Sequence, residues 1–144
     1  MTIDTDALID AARKVRRNAH ARFSNYLVGA AVLDEEGRVH IGCNVENASY
    51  PEGICAETNA IGSMVTAGGR YIVAIAVVGG ADDADTHAIA GGVGEVGACT
   101  PCGGCRQRIL EFADRDTRIV VSDDDGNLQT YGIHDLLPDS FRVR

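Results

Sequence analysis

Two short segments constrain this chain more than anything else in it: Cys55-Ala56-Glu57 and Pro101-Cys102-Gly103-Gly104-Cys105. Cys102 and Cys105 are spaced i, i+3, so a helix starting near 102 puts both sulfurs on one face of its first turn. Cys55 follows a Pro-Glu-Gly turn and reads as the opening of a second helix. Any fold must bring these two helix starts to one point. Helix N-termini suit thiolates, because their unpaired N–H groups and the dipole favour negative charge there. Three cysteine ligands leave a tetrahedral zinc one open position, the catalytic pattern, and Glu57 is near enough to move protons for the water that fills it. Cys99-Thr100-Pro101-Cys102 is also C-x-x-C, and a fourth thiolate would make the zinc structural. Pro101 breaks helical continuity between the two, so Cys99 is read as a non-ligand. Cys43, inside a strand, is read as core.

The rest of the chain supplies alternating elements. Leu8, Ile9, Ala12, Val15 and Ala19 fall at helical spacing over residues 4–19, with Asp4, Thr5 and Asp6 available to cap. The basic residues Arg13, Lys14, Arg16 and Arg17 read as a solvated face whose cations suit a helix C-terminus. Strands are expected over 28–33 and 38–45, joined by a turn at Glu35-Glu36-Gly37. A helix from 55 to 67, ended by Gly68-Gly69, precedes a continuous apolar strand over 71–78. Residues 79–100 have no periodicity and read as a surface loop. Gly92 to Gly97 forms a G-x-G-x-x-G there, but it neither follows a strand directly nor opens a helix, which excludes a dinucleotide site. A helix over 102–113 with Ile109, Leu110 and Phe112 inward, strands over 118–122 and 128–131, and a last helical turn over 133–137 complete the chain. The alternation predicts an α/β fold, with a five-stranded sheet and helices on both faces, in a single domain of residues 1–144.

Four segments make the chain resemble a known family. They are Phe23-Ser-Asn-Tyr-Leu-Val-Gly-Ala-Ala-Val, Gly42-Cys-Asn-Val-Glu-Asn-Ala-Ser-Tyr-Pro-Glu-Gly-Ile-Cys-Ala-Glu, Pro101-Cys-Gly-Gly-Cys-Arg-Gln and Leu136-Leu-Pro-Asp-Ser-Phe. In that order they resemble the zinc-dependent cytidine deaminases, whose signature joins a ligand, one residue, Glu and P-C-x-x-C. The resemblance implies a three-layer α-β-α fold with a mixed five-stranded sheet. It implies one zinc per chain on Cys55, Cys102 and Cys105, with Glu57 as the proton carrier in hydrolytic deamination of cytidine or 2′-deoxycytidine in pyrimidine salvage. Phe23 would stack on the base, the Ala56 backbone would meet its carbonyl edge, and Asn44 and Glu46 would grip the ribose hydroxyls. Ala48, Tyr50 and Phe141 would reach a neighbouring subunit's site in a homotetramer. One departure stands out. Most of that family carries Arg after C-A-E, and here the residue is Thr58. Arg106, i+4 from Cys102, is expected to relieve the negative charge of the thiolates instead.

Charge narrows the substrate class. The 13 Lys and Arg against 21 Asp and Glu give −8, which opposes a nucleic-acid reader and favours a small nucleoside. Five cysteines without a charged-then-apolar leader favour zinc over a disulfide framework, and a cytoplasmic protein. No apolar run approaches the ~18 residues of a membrane span. His20, His40, His87 and His134 lack ligand spacing and are read as surface histidines. Two other readings use the same motifs: an aminohydrolase for a related nucleoside, such as a blasticidin-type antibiotic, and a structural zinc module for protein interaction. The second has no use for Asn44, Glu46 and Glu57 together.

Overall fold

The computed structural model describes residues 2–81, 99–122 and 126–143. The Gly92–Gly97 motif, His87 and most of the segment expected as a surface loop lie outside the described residues. Helix α1 spans Thr5–Arg16, with the Asp4 side chain accepting a hydrogen bond from the Ala7 N–H at 3.0 Å. It stops short of the expected residue 19. Strands β1 (Tyr26–Asp34) and β2 (Val39–Cys43) form the hairpin, and the turn contains Gly37 at φ 79°, a backbone that glycine adopts without strain. Helix α2 (Ala56–Thr66), strand β3 (Ile72–Ala81), helix α3 (Gly103–Glu111), strands β4 (Arg118–Ser122) and β5 (Leu128–Tyr131) and the short α4 (Ile133–Leu136) follow.

The sheet order is β2-β1-β3-β4-β5. β1 is antiparallel to both of its neighbours, β3 and β4 are parallel, and β5 returns antiparallel, so the sheet is mixed. Side chains alternate between its faces. Ala31, Leu33, Ala74, Ala76 and Val120 point toward Leu8, Ile9 and Ala12 of α1. Ala30, Val32, Ile75, Val77, Ile119 and Val121 point the other way, into Ala60, Ile61 and Met64 of α2 and Ile109 and Leu110 of α3. The result is the three-layer arrangement expected. No described helix is long and apolar enough to cross a membrane.

One consequence of this order places the site. β2 and β3 flank β1 and are both antiparallel to it, so they run in the same direction. α2 follows β2 and α3 follows β3, which brings both helix starts to one edge of the sheet. Gly42 presses α2 close: a Cβ there would stand 2.4 Å from the Ala60 nitrogen and 2.7 Å from the Ala56 carbonyl oxygen.

β2 ends two residues earlier than expected. At Asn44 the side chain takes over the ladder, its Oδ1 accepting from the Val28 N–H at 2.9 Å and its Nδ2 donating to the Tyr26 carbonyl at 2.9 Å. Val45 then leaves β1 and pairs with Ile54, through two backbone bonds of 2.9 Å.

At the opposite edge, Asp34 is fully buried and corrects the reading of His40. The Asp34 carboxylate meets His40 Nε2 at 2.7 Å and Arg38 Nε at 2.9 Å, and accepts the N–H groups of Glu36 and Arg38. His40, with 10% of its side chain accessible, is therefore no surface residue. Burial alone would raise the Asp34 pKa. The His40 contact, the backbone N–H groups and Arg38 outweigh it and bring the carboxyl from 3.8 down to about 2. A depressed carboxyl stabilises the fold above its unfolded pKa and loses that contribution as pH falls through the folded value. Asp34→Asn should therefore lower unfolding free energy by ~2 kcal/mol at neutral pH. Denaturant titrations should show the gap full above pH 3.8 and fading as the pH approaches about 2; an equal gap across that window would refute it.

Candidate active site

The loop after β2 folds back through the Val45–Ile54 pairing and delivers Cys55 to the start of α2. Cys55 is the N-cap, in extended backbone at φ −72°, ψ 153°, and Cys102 occupies the same place at α3, at φ −66°, ψ 169°. Cys105 is one turn further in. Neither N-cap side chain accepts a hydrogen bond from its own helix. Sulfur stands where a serine or aspartate oxygen usually satisfies the first-turn N–H groups.

The three sulfurs lie within 4.8 Å of one another, and Cys55 Sγ and Cys102 Sγ are 3.9 Å apart. A tetrahedral zinc with ~2.3 Å bonds to sulfur holds neighbouring sulfurs about 3.8 Å apart, so the cluster has the size the ion needs. Cys105 shares its proton with Cys55, which draws the Cys55 thiol down and pushes the Cys105 thiol up, and burial adds to the latter. The Thr58 hydroxyl adds one neutral contact, 3.8 Å from Cys105 Sγ. Three thiolates this close are stable together only around a positive ion, and thiolate is a good zinc ligand. Cys99 is outside the cluster. Its sulfur and the Tyr26 hydroxyl lie over Gly79, where a Cβ would stand 2.6 Å from each.

Glu57, 5% exposed, sits in the first turn of α2. Burial pushes its carboxyl above the usual range, against the opposing pull of its own N–H, the Cys105 thiol and the Arg108 charge. It lines a cavity of about 390 Å³ together with Asn44, Glu46, Tyr50, Cys55, Ala56 and Cys102. An outer recess of about 310 Å³ shares Glu46 and Tyr50 and adds Phe23, whose ring meets Tyr50 edge-on at 5.7 Å. A carboxylate, a zinc-sized thiolate cluster and an aromatic rim therefore open onto adjoining space.

The remaining expected residues fall into two groups. Asn44 and Glu46 line the cavity while also holding the fold. Glu46 Oε1 accepts the N–H groups of Phe23 and Ser24 at 2.9 and 3.1 Å, and its other oxygen takes the Ser24 hydroxyl. Ala48 and Phe141 line neither recess. Phe141 is 73% exposed and Tyr50 75%, although Tyr50 lines both.

Arg106, expected to relieve the thiolate charge, takes its hydrogen bonds elsewhere than the sulfurs. Its guanidinium donates to the Pro101 carbonyl at 2.7 Å, the Leu136 carbonyl at 2.7 Å and the Thr100 hydroxyl at 3.5 Å. Those bonds tie the segment before Cys102 to the end of α4. Val28, Cys99 and Thr100 also line the cavity and carried no sequence signal for it, except that Cys99 stood beside the motif.

Comparison with known proteins gives the same picture. Residues 2–122 match the family described as the cytidine and deoxycytidylate deaminase zinc-binding region. The cytidine deaminase of Sporosarcina psychrophila is 35% identical over 139 residues, which cover 96% of this chain and 92% of the relative. That of Halalkalibacterium halodurans is 37% identical over 139 residues, covering 96% and 95%. The crystal structure of cytidine deaminase from Burkholderia pseudomallei is 40% identical, covers 96% of this chain and all of its own, and superposes with a TM-score of 0.81.

Proposed function

The chain belongs to the cytidine and deoxycytidylate deaminase family, and from that premise we propose that it hydrolyses the exocyclic amine of cytidine and 2′-deoxycytidine, giving the uridine product and ammonia. The observation that carries the reading is Glu57, a buried carboxylate on the wall of the cavity that Cys55 and Cys102 also line. Zinc on Cys55, Cys102 and Cys105, one ion per chain, supplies the Lewis acidity that makes water a nucleophile at neutral pH. Glu57 accepts the proton of the attacking water and delivers it to ring N3, which makes C4 electrophilic. The hydroxide left behind adds at C4, and Glu57 carries its remaining proton to the exocyclic amine, so that the C4–N bond breaks as the C4 carbonyl forms and ammonia leaves. Burial favours a Glu57 that holds a proton between these steps.

The substrate is oriented by the groups around it. Phe23 offers a face to the base, and the Ala56 backbone meets its carbonyl edge. Asn44 and Glu46 receive the sugar hydroxyls with the donor and acceptor capacity that their fold contacts leave. The charged side chains lining the two recesses, among the described residues, are Glu46 and Glu57. Neither can receive a 5′-phosphate, which favours a nucleoside over a nucleotide.

Ammonia release from the zinc-loaded protein tests this across cytidine, 2′-deoxycytidine, deoxycytidylate and a blasticidin-type nucleoside. The first two should be turned over and deoxycytidylate should be poor. Preference for the nucleotide or the antibiotic would overturn the substrate assignment.

The same reading makes residues 1–144 one domain of a cytoplasmic homotetramer in pyrimidine salvage, with Ala48, Tyr50 and Phe141 reaching neighbouring sites. Its support is the exposure of Tyr50 and Phe141, at 75% and 73%, with Val39 and Ile41 half-exposed on the edge strand β2. Sedimentation of a fully active monomer at micromolar concentration would contradict it.

A further inference from the structure

The turn before β1 carries an aromatic ring whose main chain is fixed by hydrogen bonds but whose side chain lies outside the core. Ala21 is buried, and the Asn25 N–H returns to the Ala21 carbonyl at 2.8 Å, so residues 22–24 stand out from the body of the protein. Glu46 locks their backbone by accepting the N–H groups of Phe23 and Ser24 at 2.9 and 3.1 Å. The Phe23 ring is 41% exposed, too open for core packing to choose its rotamer.

Two neighbours hold the ring instead. Tyr50 meets it edge-on, with centroids 5.7 Å apart. The Arg22 guanidinium lies over it, with Cζ 4.6 Å from the ring centroid. That is inside the ~6 Å range over which an aromatic face attracts a cation. Among the described residues Arg22 forms no ion pair with a carboxylate, and the ring is the partner the structure gives it. Phe23 lines the outer recess, whereas Arg22 lines neither recess. The guanidinium therefore covers the ring from outside and leaves the recess side clear for a flat ligand.

We propose that Arg22 is a positioning residue for the substrate: stacked on the outer face of Phe23, it holds that ring in the orientation that receives the base. This rests on the reading of Phe23 as the stacking partner of the pyrimidine. Arg22 touches neither the base nor the reacting atoms. A ring already set in its binding orientation loses little rotamer freedom when the base arrives. The benefit is the same in the ground state and the transition state, so it belongs to KM and not to kcat. Its size is that of an exposed cation–π contact, about two- to fivefold.

The test is steady-state deamination of cytidine by the zinc-loaded full chain and by Arg22→Gln, Phe23→Leu and the double variant. Cytidine carries no net charge, so the loss of one surface cation does not by itself alter its capture. Arg22→Gln should raise KM about two- to fivefold and leave kcat unchanged. Phe23→Leu should raise KM by about fivefold or more, the worth of a base stacked on an aromatic ring. In the Phe23→Leu background, Arg22→Gln should add nothing, because the ring through which it acts is gone.

Failure here is separable from failure of the stacking reading. A Phe23→Leu variant with the parental KM refutes that reading. If Phe23→Leu raises KM and Arg22→Gln does not, the role of Arg22 alone is refuted. A lower KM in Arg22→Gln refutes it as well, since the guanidinium would then be occupying the place of the base. So does a fall in kcat at constant KM, or an equal rise in KM with and without the Phe23 ring.

Discussion

Glu57→Gln should leave the fold and the zinc content intact and lower turnover of cytidine by at least ~10²–10⁴-fold, the usual worth of general acid–base catalysis. The amide matches the carboxyl in shape, so it keeps the place of a side chain that is 5% exposed at the sheet edge. What it loses is the ability to accept a proton. In the proposed chemistry one group serves both ring N3 and the leaving amine, and no second carboxylate among the described residues lining the cavity is free to stand in. Among the described residues the other carboxylate lining the cavity, Glu46, already accepts the Phe23 and Ser24 N–H groups and the Ser24 hydroxyl. Zinc content by elemental analysis and turnover by ammonia release decide the matter together. Activity within tenfold of the parent, at full zinc occupancy, would remove Glu57 from the chemistry.

Loss of a ligand should have an effect as large, but on the metal. Cys105 is completely buried and Cys102 is exposed, yet both belong to one cluster of sulfurs within 4.8 Å. Serine at either position replaces a thiolate with a hydroxyl, a much weaker zinc ligand at neutral pH, and leaves two sulfurs where three are needed. Zinc content should fall from one per chain to a small fraction. Cys99→Ser should stay near the parent value, because that sulfur lies over Gly79 outside the cluster. Were Cys99→Ser to lose metal and Cys55→Ser to keep it, the ligand assignment would be wrong.

What was legible in the sequence followed from periodicity and spacing. The i, i+3 cysteines, the turn before Cys55 and the alternating apolar runs each depend on a few neighbouring residues, and the elements appeared within a few positions of expectation. What was not legible depended on partners far along the chain. The end of β2 was set by the Asn44 amide bonding across to Tyr26 and Val28, a choice that strand propensity does not contain. His40 looked like an isolated surface residue until the hairpin folded it against Asp34. Arg106 illustrates the same limit. Helical spacing put Arg106 on the ligand face, but the Leu136 carbonyl, 30 residues on, claims its guanidinium.

The common direction of β2 and β3 has a consequence for how this protein keeps its metal. Cys55 belongs to the helix after one strand and Cys102 and Cys105 to the helix after the other, and β1 lies between those strands. No local piece of chain therefore holds a preformed site. The sulfurs converge only once β2, β1 and β3 have assembled, so an unfolded chain has at most scattered thiols to offer. Metal binding and folding are then one linked equilibrium: a free ion concentration 100 times the dissociation constant stabilises the native chain by about 2.7 kcal/mol. Chelation acts in effect as a denaturant, and a weakened sheet releases zinc before any ligand is altered. Durability of the catalyst in a metal-poor medium is thus decided in the β2–β1–β3 ladder as much as at the sulfurs.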